Sequence, residues 1–226
     1  MRNLDLNPFY GSILLHNPDI SHLIRAHPAG FILGLNRKNF GAEPWEQRFG
    51  YPDQGISFIY QDMGTATLGA NFGLYLHYNF YFWRRHMKLR IGQGIAYATN
   101  PYDTEDNFRN NAYGSDLMSS TYLMLQYHRE RLWNRLGVSA GITLVHYSNA
   151  NVRAPNTSTN TLGLTAGLIY ELDAAQPGIE EYKRWPESPV TEGVRLNLVF
   201  RSGANESDVV GSGQYPFYIF SAYGDK

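Results

Sequence analysis

Over long stretches the chain alternates apolar and polar residues with a period of two. From Leu68 to Phe82 the even positions are Leu68, Ala70, Phe72, Leu74, Leu76, Tyr78, Phe80 and Phe82. The odd positions between them are Gly69, Asn71, Gly73, Tyr75, His77, Asn79 and Tyr81. A helix would return its apolar residues every three or four positions, so this segment predicts a β-strand. The same alternation recurs at Met87, Leu89, Ile91, Ile95 and Tyr97, along Leu136–Leu144, along Leu162–Leu172 and along Val194–Phe200. Less regular candidates lie near 10–16, 29–38, 56–62, 119–130 and 215–224. About ten strands result, and no long helical segment competes with them.

The rows opposite the apolar ones are rich in Gly, Thr and Asn, with a few Arg, which suits a crowded polar barrel interior. In a soluble sandwich or ligand-binding barrel the apolar rows would turn inward, with Lys, Glu and Ser facing water. Long strands with Tyr, Phe and Trp gathered at their ends, as at Tyr78, Phe80, Phe82 and Trp83, match a bilayer-spanning barrel with aromatic girdles. Closure satisfies every backbone group without water, which an open sheet in lipid cannot do. The prediction is all-β: an antiparallel up-and-down transmembrane β-barrel of 8–10 strands or more with long outer loops, one domain over 1–226. His77, Lys88, Arg90, Arg195 and Arg201 read as lumen-lining groups.

Tight turns at Trp83–His86 and Leu132–Asn134 belong on the periplasmic side of such a barrel, and the longer polar stretches 100–118 and 149–158 outside. Residues 40–55 and 173–192 are long, yet fall on the periplasmic side in this scheme. The chain ends at Lys226 without a terminal aromatic, which points to a natural protein that continues.

Composition narrows the function. Nineteen Lys+Arg against twenty Asp+Glu leave a net charge of −1, without the basic excess of a nucleic-acid binder. Aromatics at 15% exclude a disordered chain, and the absence of Cys excludes disulfides and thiolate metal sites. No metal-binding His pair, phosphate loop or dinucleotide fingerprint is present. The first twenty residues lack the long apolar stretch of a secretory signal. Either the chain stays inside the cell, or it is a mature form whose signal is gone and whose Met1 is not the natural start.

The chemistry gathers at the end of the 135–148 strand, Val145-His146-Tyr147-Ser148-Asn149-Ala150. His146 and Ser148 continue the lipid-facing even row and project side by side. An adjacent base is what a Ser hydroxyl needs to become a nucleophile. Taken alone, both residues read more readily as polar groups where a strand leaves the membrane, since single His and Ser residues are common. The next strand begins with Asn160 on its own outward row, and antiparallel pairing across the loop sets it where His146 and Ser148 end. Asn149 and Asn156 add amide donors of the kind an oxyanion site needs. A hydrolytic site on this face implies a substrate that is itself in the membrane.

The run His146-Tyr147-Ser148-Asn149-Ala150, followed by Pro155-Asn156, resembles the signature of the outer-membrane lipid A 3-O-deacylases and the wider acyloxyacyl-hydrolase-like group. The match is close over 146–160 and loose along the rest of the barrel pattern. Those proteins are eight-stranded barrels whose lipid-facing Ser-His-Glu triad cleaves an ester-linked acyl chain from lipid A. The resemblance implies a carboxylic ester hydrolase of the bacterial outer membrane, spanning it in multiple passes. Ser148 would be its nucleophile, His146 its general base, and Asn156, with Asn149 or the local backbone, its oxyanion donors. Lipid A or lipopolysaccharide would be the substrate, with no metal or organic cofactor, and the sequence leaves a homodimer open. One departure stands out: Asn160 occupies the position of the family's Glu. An amide can orient an imidazole but adds no charge, and the acid-to-amide change in a serine protease lowers turnover about 10⁴-fold. A loop carboxylate, Glu206 or Asp208, is the alternative acid. The competing reading is a structural or adhesive outer-membrane barrel with a degenerate site; the third is a soluble ligand-binding barrel.

Overall fold

The computed structural model describes residues 1–173, 182–186 and 193–226. Eight strands follow one another around a closed antiparallel barrel. They are β1 (Arg2–Ile13), β2 (Ala29–Arg37), β3 (Asp53–Asp62), β4 (Ala70–Phe82), β5 (Met87–Ala98), β6 (Leu117–Trp133), β7 (Leu136–Ser148) and β8 (Thr159–Glu171). The wall closes where β1 pairs with β8, from Asn3 opposite Glu171 to Ile13 opposite Thr161. Two further strands, β9 (Arg195–Glu206) and β10 (Gln214–Asp225), pair among the described residues only with each other.

Strand parity sorts the side chains as the alternation predicts. Leu76 on β4 is 72% exposed and Leu164 on β8 is 73% exposed, whereas His77 beside Leu76 is 2% exposed. Such apolar exposure over a whole barrel wall is stable when the surrounding solvent is lipid. Two expectations need correction. Leu68 does not face lipid: it lies in the turn before β4, fully buried, with its N–H held by Thr65 Oγ1 at 3.3 Å. Arg195 and Arg201 do not line the lumen, because β9 stays outside the closed wall and both are exposed. The ten-strand pattern is present, but eight strands make the barrel.

The lumen is filled by a polar network. Arg90 makes a two-pronged contact with Asp5, at 3.0 and 2.5 Å, and donates to Asn79 Oδ1 at 2.7 Å and Asn36 Oδ1 at 2.9 Å. His77 Nε2 meets the same Asn36 oxygen at 2.8 Å. Buried charge of this kind persists only when paired and hydrogen-bonded.

The two ends of the barrel differ. One carries the turns 83–86 and 134–135 together with residues 38–52, which include the short helix α1 (Pro44–Arg48). The second long segment assigned to this end packs here too: Lys183 N–H donates to Phe40 O at 2.8 Å and Trp185 Nε1 to Gly41 O at 3.0 Å. The remainder of that segment, 174–181 and 187–192, lies outside the described residues. The other end holds a 3₁₀ turn (Pro18–Leu23) and the loops 99–116 and 149–158.

Candidate active site

β7 and β8 pair across the 149–158 loop, and their register sets His146 directly opposite Asn160. Both are half-buried on the outward face, above the apolar row of Leu136, Ile142 and Leu144. Their side chains meet: His146 Nδ1 lies 2.8 Å from Asn160 Oδ1. An amide oxygen only accepts, so Nδ1 carries the hydrogen and Nε2 keeps its lone pair. That tautomer is the one a general base requires. From the lumen side, Ser120 Oγ donates to the His146 carbonyl at 2.7 Å and meets the Tyr75 hydroxyl at 2.8 Å. The backbone bearing the imidazole is thus held from within the wall.

Ser148, the last residue of β7, receives two N–H donors on its Oγ. Asn156 Nδ2 donates at 2.9 Å and the Ala150 backbone N–H at 3.1 Å. The chain can fold back this sharply because Ala150 and Asn151 both adopt left-handed backbone, at φ 56° and 59°. For a non-glycine residue that conformation costs roughly 1–2 kcal/mol and survives only where the surroundings impose it. The Ser148 hydroxyl in turn donates to Asn156 Oδ1 at 3.3 Å, and among the described residues no hydrogen bond joins it to His146. A nucleophile and base often close up only when substrate arrives.

Of the two amides expected to serve an oxyanion, one reaches Ser148 and one does not. Asn149 sits at an odd position, so its buried side chain turns away and donates to Arg153 O at 2.6 Å. Its backbone N–H donates to Asn156 Oδ1 at 2.9 Å, which steadies the amide that does reach Ser148. The donor that sequence reasoning missed by name is the Ala150 N–H, whose direction depends on the left-handed turn.

The loop carrying Asn156 is braced on three sides. Thr157 and Ser158 N–H donate to Asn111 and Ala112 carbonyls at 3.1 and 3.2 Å, and His16 Nε2 meets Thr157 O at 3.0 Å. Glu206, at the end of β9, accepts from Ala154 N–H at 2.8 Å and from Gly211 N–H at 2.8 Å. These backbone donors, Ala154 first, hold its carboxyl below the usual range. Glu206 therefore anchors the loop and is committed to backbone, away from His146; Asp208 is exposed.

No curated protein matches the chain. Two solved structures show similarity to the chain. The crystal structure of Neisserial surface protein A shares 8% identity at a TM-score of 0.40, covering 75% of this chain and 96% of that one. The crystal structure of the outer membrane enzyme PagL shares 17% at a TM-score of 0.38, covering 72% and 97%. The family model described as lipid A 3-O-deacylase (PagL) matches residues 29–168, from β2 into β8, with His146, Ser148, Asn156 and Asn160 inside the match. With more than half of its length matched and a closed eight-stranded barrel, the chain belongs to the lipid A 3-O-deacylase (PagL) family of the bacterial outer membrane.

Proposed function

We propose that this protein is a serine esterase that removes an ester-linked acyl chain from lipid A or lipopolysaccharide at the outward face of its barrel. The observation that carries this reading is the Nδ1 contact of His146 with Asn160, which leaves Nε2 as the open base beside a Ser148 oxygen already met by two N–H donors. Ser148 Oγ attacks the ester carbonyl carbon while His146 Nε2 takes its proton. The carbonyl oxygen becomes an oxyanion, and the Asn156 Nδ2 and Ala150 N–H groups stabilise it. Collapse breaks the ester bond, and the imidazolium returns its proton to the departing sugar oxygen. Water, activated by the same imidazole, then cleaves the acyl-enzyme and releases a fatty acid. Every group needed belongs to the chain, and the hairpin β9–β10 joins the same working unit through Glu206.

Purified protein in detergent, incubated with lipopolysaccharide, should yield lipid A lighter by one acyl unit on mass spectrometry. Ser148→Ala and His146→Ala should each abolish that loss while leaving the barrel folded. The double variant should be scarcely worse than either, since nucleophile and base serve one step. Near-normal turnover in Ser148→Ala would remove the nucleophile assignment. An intact lipid A mass with wild-type protein would favour a structural barrel with a degenerate site.

A further inference from the structure

The outward row that bears His146 does not stop at β7. Following the cross-strand register, Gln93 on β5 faces Thr121 on β6, Thr121 faces His146 on β7, and His146 faces Asn160 on β8. One line of polar side chains therefore crosses four neighbouring strands, a distance of roughly 15 Å at the usual strand spacing. A second contact lies one step toward the loops, where Ser119 on β6 faces Ser148. Gln93 joins the two: its Nε2 donates to Ser119 Oγ at 3.1 Å, and the Thr121 hydroxyl donates to its Oε1.

These residues stand in apolar surroundings. The other outward positions of β5 are Met87, Leu89, Ile91, Ile95 and Tyr97, and Ile91 and Ile95 on either side of Gln93 are lipid-exposed. A polar group turned toward hydrocarbon is unfavourable unless it is hydrogen-bonded. Gln93, Ser119 and Thr121 satisfy one another only in part. Among the described residues, the second amide hydrogen of Gln93 and the Ser119 hydroxyl hydrogen remain open for a ligand, as do free lone pairs on all three oxygens. None carries a charge, so the row suits uncharged hydroxyl and amide groups in preference to a phosphate.

We propose that Gln93, Ser119 and Thr121 form a binding shelf for the hydroxyl and amide groups of the acylated sugar, setting specificity for a sugar-bearing lipid over other membrane esters. The shelf rests on the esterase reading for its substrate. It lies on the β5 side of His146, opposite Asn160, so a sugar held there presents its ester to Ser148 from the side away from the loop.

The test uses full-length protein in amine-oxide micelles, in a Ser148→Ala background so that ligand survives. Purified lipid A and phosphatidylethanolamine, a lipid without sugar, are the two probes. Gln93→Leu and Thr121→Val should each weaken lipid A binding about tenfold, the scale of one lost hydrogen bond. Phosphatidylethanolamine binding should stay put, and Thr121→Ser should keep the parent affinity for lipid A. Both losses make the lipid face more apolar, and heat-modifiable gel mobility checks that each variant folds. Unchanged lipid A binding in both variants would overturn the shelf, as would a parallel loss for both lipids. With Ser148 restored, Gln93→Leu should raise KM for lipopolysaccharide more than it lowers kcat. If wild type leaves lipopolysaccharide intact while Gln93→Leu still weakens lipid A binding, the esterase reading falls and the shelf stands. Normal deacylation with unaltered binding and KM in Gln93→Leu would sink the shelf alone.

Discussion

Arg90 and His146 belong to the same barrel wall, one turned into the lumen and the other toward the membrane. Four of the five guanidinium donors of Arg90 are engaged, on Asp5, Asn36 and Asn79. His146 has one ring nitrogen bonded and the other open, and Ser148 beside it holds a hydroxyl that donates only at 3.3 Å. The inward group is satisfied and rigid; the outward group is positioned but unfinished. Of these two, the satisfied group supports the fold, and the one with an open nitrogen sits where the proposed chemistry needs a base.

Removing the inward charge should have the largest effect on stability. Arg90→Leu strands the Asp5 carboxylate in the lumen, and breaking a buried pair in this way costs about 3–5 kcal/mol. Urea unfolding in micelles measures it, and a barrel of unchanged stability would show that the Arg90–Asp5 pair does not hold the lumen together. Ile142→Arg tests the outward row below the site, where Ile142 faces Leu164 across the strands. Near the bilayer midplane it should cost about 2–4 kcal/mol in lipid vesicles. A much smaller penalty would mean that this face does not meet hydrocarbon.

Asn160→Ala probes the outward group. The imidazole loses the acceptor that fixes its tautomer, and turnover should drop roughly tenfold or more, at least about 1.4 kcal/mol of barrier. Asn160→Glu keeps an acceptor and adds a carboxylate that strengthens the contact with His146, so it should equal or exceed wild type. Full activity in Asn160→Ala would show that the asparagine plays no part. Glu206 gives the smallest effect. A carboxyl whose pKa is lowered by folding stabilises the structure above its unfolded pKa and loses that contribution as pH falls through its folded value. Amide protection at Ala154 should therefore persist at neutral pH and fade only below the ordinary carboxylate range. In Glu206→Gln the protection should be weaker at neutral pH and should not change over that acid window.

The barrel wall was legible in the sequence because parity is a local property and lipid rewards it on every strand. Leu68 broke the rule since parity holds only inside a strand, and β4 begins at Ala70. The strand count was less legible. β9 alternates like the barrel strands and the less regular β10 still reads as a strand, whereas closure depends on β1 meeting β8 from the far end of the wall, which no local pattern records. The pairing of His146 with Asn160 could be read from loop length and row parity. The odd position of Asn149 already turns its side chain from Ser148; the Ala150 N–H on that serine could not be read, because its direction depends on the left-handed turn at Ala150 and Asn151. Gln93 was readable in principle as the polar break between Ile91 and Ile95, but its meaning needs the register that joins it to His146.

A serine that opens sideways from the wall changes what concentration means for this protein. On the esterase reading, its substrate arrives by diffusion within the leaflet, so occupancy should follow the mole fraction of that lipid in the surface and not its amount per litre. Diluting vesicles with buffer should leave the rate per vesicle unaltered, whereas diluting the substrate with inert lipid at fixed bulk concentration should lower it. A fatty acid released at Ser148 would enter the same leaflet and compete with substrate there until it partitions away.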